Sequence, residues 1–195
     1  VAGCRSHHQE RGGRALTVPT RWSPGVVAFH WLNAALIVAL LAMGWAMTHR
    51  VFAAATSFDL YQQHKSLGFV ALALTFVRLA ARALTFAPAP VPGWEGGFSR
   101  VVQAAFYLLT LVAIGAGWVV VSTSPLPVPT RLFGLLVIPN VAPPDATLFA
   151  GAALAHRFAA YAIAALFALH VAGALKHHFI DRDDTLKRMA PRLPP

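Results

Sequence analysis

The chain has 195 residues, 57% of them hydrophobic and 12% charged, and this composition excludes an ordinary soluble domain. Its formal charge of +9 comes from basic residues clustered between apolar runs, a pattern that orients membrane helices and argues against nucleic acid as a partner. A single cysteine, Cys4, excludes a disulfide framework and a thiolate-held iron–sulfur cluster, so any iron must be held by nitrogen.

Residues 1–20 hold Arg5, Arg11 and Arg14 among glycines with no apolar core. They are predicted to form a disordered basic tail lacking the central region of a signal peptide, with His7 and His8 as a solvated pair. Four apolar runs then have spanning length, at about 24–48, 58–83, 98–121 and 151–178. They predict an all-α fold, an integral membrane four-helix bundle occupying residues 21–191. Between the second and third runs, Ala87-Pro-Ala-Pro-Val-Pro-Gly93 reads as a stiff extended link. The third connection, 122–150, is Pro-rich yet apolar, with Leu132-Phe-Gly-Leu-Leu-Val-Ile-Pro139 at its centre; it is expected to lie as a cap in the outer interface.

Basic residues sort against these runs. Arg5, Arg11, Arg14, Arg21, Arg78, Arg82, Arg100, Lys176, Arg182, Lys187, Arg188 and Arg192 share one side, whereas Arg50, Lys65, Arg131 and Arg157 lie on the other. The positive-inside rule therefore predicts that both termini of this multi-pass chain are cytoplasmic.

The last run carries His156 and His170, fourteen residues apart. At 100° per residue that step closes to within about 40° of whole turns and rises roughly 21 Å, so both imidazoles face one way at opposite leaflets. With alternating helix directions, His30 reaches the inner level of His170, and His64 the outer level of His156. Each histidine taken alone reads better as one bonded to a neighbouring carbonyl, but an ionisable group in hydrocarbon needs something to satisfy it, and the four together read otherwise. Opposed imidazoles at two depths suit two haems, His30 and His170 for the inner one, His64 and His156 for the outer, each ring bonding through its second nitrogen to a helix carbonyl.

The fourteen-residue step also points to Gly44 from His30 and to Arg78 from His64. Gly44 would leave bare backbone beside the outer macrocycle, Gly68 would leave room beside the same ring, and Arg78 would face haem propionates at the inner level. Helix packing accounts equally for the glycines, and a snorkelling residue for the arginine. His177, seven residues past His170, is a candidate for a propionate or a quinone head group, and Lys65 and Arg157, each beside a ligand histidine, for attracting an anion outside. The third run supplies no ligand; Gly115 and Gly117 suggest close packing, with Gln103 and Tyr107 as polar handles.

Arg21-Trp-Ser-Pro-Gly-Val-Val-Ala-Phe-His30-Trp31-Leu-Asn-Ala34, Gln63-His64-Lys-Ser-Leu-Gly68, the Phe133-Gly134 to Pro139 stretch and His177-His178-Phe-Ile-Asp-Arg182-Asp183-Asp-Thr185-Leu186-Lys-Arg188-Met189 together resemble the bacterial cytochrome b561 family over residues 20–191. The resemblance implies a four-helix dihaem protein with two haem b groups that exchanges electrons with ubiquinone. One branch of that family is a superoxide oxidase, of superoxide:ubiquinone oxidoreductase type, drawing electrons from periplasmic superoxide. The basic stretch before Arg21 departs from the short start typical of the family, and ionic residues are sparse in the third connection. Two alternatives stay open: a cytochrome b anchor subunit relaying electrons between quinone and a separate dehydrogenase or hydrogenase, and a histidine-lined metal transporter. The second predicts a colourless protein, against which stand the Ala, Ile, Phe, Leu and Gly residues between the histidines.

Overall fold

A computed structural model describes residues 19–49, 51–89, 93–126 and 128–190. The predicted tail, apart from residues 19 and 20, lies outside the described residues. Four helices, α1 (Pro24–Thr48), α2 (Ala54–Ala83), α3 (Trp94–Thr123) and α4 (Ala146–Phe179), are each long and apolar enough to cross a membrane. α2, α3 and α4 begin four, four and five residues before the apolar runs. Their first turns are built from polar or mixed sequence that hydropathy alone does not mark as helix.

The ends follow local chemistry. Pro24 opens α1 where its missing N–H costs nothing, and the Ser23 hydroxyl accepts from the Val26 N–H at 3.5 Å. Asp145 caps α4, accepting from the Leu148 N–H at 2.8 Å, and Lys176, His177 and His178 fill the last turn of α4, where the helix dipole favours positive charge. Large apolar side chains face outward all along the bundle, among them Trp45, Phe76, Leu108, Leu154 and Phe158. In a bilayer these contact lipid, so their exposure marks the membrane-facing surface.

α1 packs on α2, α3 packs most extensively on α4, and α2 meets α3 less closely. Ala113, Ala159 and Ile163 form the centre of the α3–α4 contact, flanked by Ile37, Leu41, Phe106 and Leu109. Small residues permit this close approach, as membrane helices require in the absence of a hydrophobic drive between them. Among the described residues, α4 has little close backbone contact with α1 or α2, although its two histidines face those helices. The bundle is thus two helix pairs that meet through the imidazoles and through Ile37 and Leu41 of α1.

Among the described residues, the connection from α3 to α4 contains the one pair of strands. β1 (Thr130–Leu132) and β2 (Leu136–Ile138) pair antiparallel, Arg131 opposite Val137. Leu132 pairs with Leu136, so residues 133–135 connect the strands; Phe133 at φ 49° and Gly134 at φ 78° are the central residues of the turn, closed by the Leu135 N–H on the Leu132 carbonyl at 2.9 Å. The predicted cap is therefore a hairpin, and it is bonded to the helices beneath it. The buried Ser66 hydroxyl accepts from the Phe133 N–H at 3.0 Å and shares its own proton between Gln62 and Arg131 carbonyls, while the Trp118 indole donates to Pro139 at 3.0 Å.

At the opposite end, the residues after α4 fold back as a strap, with α5 (Lys187–Met189) a single 3₁₀ turn. Arg21 donates to the Lys187 carbonyl, the Trp31 indole to Met189 at 2.8 Å, and Arg188 to Ala89 at 2.8 Å. One segment thereby ties the start of α1, the α2–α3 link and the end of α4. The two ends are called below the strap end and the hairpin end.

Candidate haem site

Each of the four spanning histidines is brought to a partner. His30 of α1 faces His170 of α4 at the strap end, and His64 of α2 faces His156 of α4 at the hairpin end; the ring centroids are 6.2 Å apart in both pairs. The fourteen-residue step along α4 sets the separation of the two levels, and the opposite directions of α1 and α2 bring a histidine near the start of each helix to a different level.

The spacing has a chemical meaning. Imidazole nitrogen binds a first-row metal at about 2.0–2.1 Å, and two rings sharing one metal on opposite sides are expected with centroids about 6.3 Å apart. Both pairs fit that requirement. Direct hydrogen bonding between the rings would draw them closer, and unrelated packing would have no reason to repeat one distance at two depths. The ring planes cross at 67° in the strap-end pair and 80° in the hairpin-end pair. With iron between such nearly perpendicular imidazoles, the oxidised protein is expected to give strongly anisotropic low-spin EPR signals from both levels. Rhombic signals of parallel imidazoles would contradict this geometry.

The second nitrogens differ from the sequence expectation. His156 Nδ1–H donates to the Ala113 carbonyl of α3 at 2.7 Å, leaving Nε2 free for a metal. Nδ1 of His30 and Nδ1 of His64 are buried without a partner, so carbonyl anchoring of every ring is corrected to anchoring of one among these three. The reason lies in the neighbours: α3 presents an accessible carbonyl to His156, whereas His64 meets Gly44, whose added Cβ would lie 3.8 Å from the ring. Gly44 is thus beside the hairpin-end pair, as the helical step predicts. At Gly68 nothing lies within 4 Å of an added Cβ, so the structure shows open space there.

Arg78 lies within electrostatic range of both His30 and His170. Its guanidinium sits over the Tyr107 ring, 5.6 Å from the centroid, and both Arg78 Nε and the Tyr107 hydroxyl are buried without a partner. Two orphaned donors beside an imidazole pair suit an anionic group. One turn further, Arg82 donates to Gln103 at 2.6 Å and covers the Trp22 ring, so it is already engaged.

His177, in the last turn of α4, is tied to the strap. Its Nδ1–H donates to Asp183 at 2.8 Å with Asp181 at 3.1 Å, which leaves Nε2 as its free nitrogen. Glu95, His177 and Asp181 lie close enough to hold a cation, but the Lys176 ammonium already bridges the two carboxylates at 2.9 and 2.7 Å. Partial desolvation acts to raise the Asp183 pKa, but hydrogen bonds from Thr185 and His177 outweigh it and hold the carboxyl below the usual carboxylate range. Stabilisation of the strap by Asp183 is therefore complete above the ordinary carboxylate range and is lost as the pH falls through the lowered pKa. Trp31 fluorescence, read against a Trp31→Phe background, is expected to change over that acid range, and Asp183→Asn is expected to remove the transition.

At the hairpin end, Lys65 is half-buried and Arg157 exposed, each next in sequence to a paired histidine. A cavity of about 400 Å³ opens at this end between α2 and the hairpin, lined by Phe58, Gln62, Gln63, Arg131 and Phe133 but by neither Lys65 nor Arg157.

A membrane-spanning bundle of four helices, with histidines opposed in pairs at metal-binding distance inside it, defines a membrane cytochrome of the b type. The comparisons narrow this. The family described as prokaryotic cytochrome b561 matches residues 21–192, and cytochrome b561 homolog 2 of Escherichia coli (strain K12) is 34% identical over 176 residues, 88% of this chain and 92% of that protein. The chain belongs to the prokaryotic cytochrome b561 family, and with it to the multi-pass membrane proteins that bind b-type haem and transfer electrons.

Helix 3, which supplies no ligand, nevertheless shapes the site through Ala113, Gly117, Phe106 and Tyr107; the Phe106 ring lies 5.6 Å from that of His170. Asn33, 4% exposed, is a further residue that helical spacing does not single out: its amide donates to Phe29 and to Leu74 of α2, pinning α1 to α2 one turn from His30. An asparagine in an apolar helix was the available signal.

Proposed function

We propose that this chain moves electrons across the bacterial inner membrane through two b-type haems, exchanging them with ubiquinone and accepting them at the periplasmic face from a small reductant such as superoxide. The observation that supports it is the repeat of one imidazole separation, 6.2 Å, at two depths of the bundle. Bound haem supplies a one-electron iron couple that the side chains lack.

His30 and His170 would hold one group and His64 and His156 the other, two imidazoles for each, and iron so held would transfer electrons rather than bind oxygen. Arg78 offers its unpaired Nε to a propionate at the strap end. His177, fixed by Asp183, presents its other nitrogen toward a quinone head group, and Lys65 and Arg157 draw an anion to the hairpin end. The distribution of Arg and Lys directs the strap end to the cytoplasm.

The test is an absorption spectrum of the detergent-purified protein, oxidised and dithionite-reduced, with haem counted per polypeptide. About two low-spin b haems per chain are expected, with reduction by enzymatically generated superoxide followed by reoxidation on adding ubiquinone. About one haem per chain would sink the two-site reading. Failure of superoxide, with rapid reduction by ubiquinol, would reverse the direction of flow. Co-purification of a dehydrogenase or hydrogenase subunit would make the chain an anchor.

A further inference from the structure

Three glycines of the bundle can be compared through what a side chain would meet. An added Cβ at Gly44 would lie 3.8 Å from the His64 ring, an ordinary contact, and at Gly115 it would meet nothing within 4 Å. At Gly117 it would lie 3.1 Å from Nδ1 and 3.2 Å from Cε1 of His156, closer than carbon atoms normally pack against a ring. That same Nδ1 is the atom bonded to the Ala113 carbonyl at 2.7 Å, and Ala113 stands one helical turn before Gly117. The imidazole therefore rests on a notch in α3 whose floor is a missing side chain and whose wall is a carbonyl.

We propose that Gly117 is the positioning residue of the hairpin-end haem site: its bare backbone lets the His156 imidazole seat its Nδ1–H on the Ala113 carbonyl, fixing the tautomer that presents Nε2 to iron. A methyl group at 117 pushes the ring back by a few tenths of an ångström, which lengthens or breaks the bond. The bond also tunes the iron. An imidazole that donates to a carbonyl is more basic and favours the ferric state, whereas His64 across the pair has no partner at its Nδ1. Helix 3 thus sets the potential of a group to which it contributes no ligand. The inference rests on the haem reading above.

The test compares Gly117→Ala with Gly115→Ala in full-length protein. Alanine favours helix at both positions, so a difference between them reports the ring contact and not the helix. In Gly117→Ala the EPR signal and midpoint potential of one haem are expected to move, the potential upward, with the other haem unmoved; Gly115→Ala is expected to move neither. Unchanged signals and potentials in Gly117→Ala, or equal shifts in the two variants, would overturn the inference while leaving the haem sites standing. A wild-type protein without haem would overturn the haem reading, and this inference with it. Should Gly117→Ala fail to accumulate, the reduced wild-type protein with isotope-labelled histidine decides: the His156 ring N–H is expected at the chemical shift of a hydrogen-bonded proton, and a free-imidazole shift would overturn the proposal.

Discussion

His64→Ala is expected to lower haem content from about two groups per chain to about one, and His30→Ala to do the same while removing the other group. The argument is geometric. His64 and His156 meet across the gap with centroids 6.2 Å apart, and among the described residues α2 and α4 have little close backbone contact that would hold a ligand in place of the lost ring. Removing the imidazole leaves iron with one protein ligand and opens a hole against Gly44, where an added Cβ would sit 3.8 Å from the missing ring. The fourteen-residue rise along α4, roughly 21 Å, keeps the strap-end pair out of reach of this change. The two losses should therefore be independent, and the double variant should be colourless. Added imidazole, small enough to enter the vacated space, is expected to restore a low-spin spectrum to His64→Ala. Two unaltered haems in either single variant would show that the pairs had been drawn wrongly.

Much of this site could be read from the sequence because helical geometry converts spacing into position. A step of fourteen residues returns nearly to the same face, and this alone put His170 under His156, Gly44 at the hairpin level and Arg78 at the strap level, where the structure has them. What escaped was fixed by backbone atoms and by long-range contacts. The Ala113 carbonyl that holds His156 has no signature in sequence, and Gly117 resembled any packing glycine until the ring appeared against it. The hairpin escaped because Leu135, Leu136 and Val137 read as a greasy interfacial run; its pairing depends on left-handed backbone at Phe133 and Gly134 and on Ser66 of α2. The strap motif was visible as a string of residues, but its ties to Trp31, Arg21 and Ala89 join positions that no periodicity connects. His177 reads from its spacing as a candidate for a propionate or a quinone head group, and spacing does not reveal that Asp183 and Asp181 engage its Nδ1.

Arg78→Ala is expected to lower the midpoint potential of the strap-end haem, with Arg78→Lys retaining most of the wild-type value. A cation beside a haem favours the ferrous form, which carries one positive charge fewer than the ferric form, so its removal favours the ferric form. The magnitude follows from the setting: two charges several ångströms apart in a partly buried site interact by on the order of 1–3 kcal/mol at an effective dielectric near 20. For a one-electron couple about 1.4 kcal/mol corresponds to about 59 mV, so a fall of roughly 40–130 mV is expected. Arg78 differs here from Arg82, which donates to Gln103 and covers Trp22; Arg82→Ala should loosen that end of the bundle with a smaller change in potential. Tyr107 separates charge from hydrogen bonding. Its buried hydroxyl has no partner and Arg78 lies over its ring, so Tyr107→Phe keeps the cation and removes only the second donor. If the two donors meet one propionate, Tyr107→Phe moves the same haem in the same direction by less than Arg78→Ala, and the double variant moves it by less than the sum. Redox titration of the three variants, followed at the wavelength of the strap-end haem, decides the point. A potential unmoved by Arg78→Ala would return this residue to the part of a cation anchored near the membrane surface, its guanidinium resting on Tyr107.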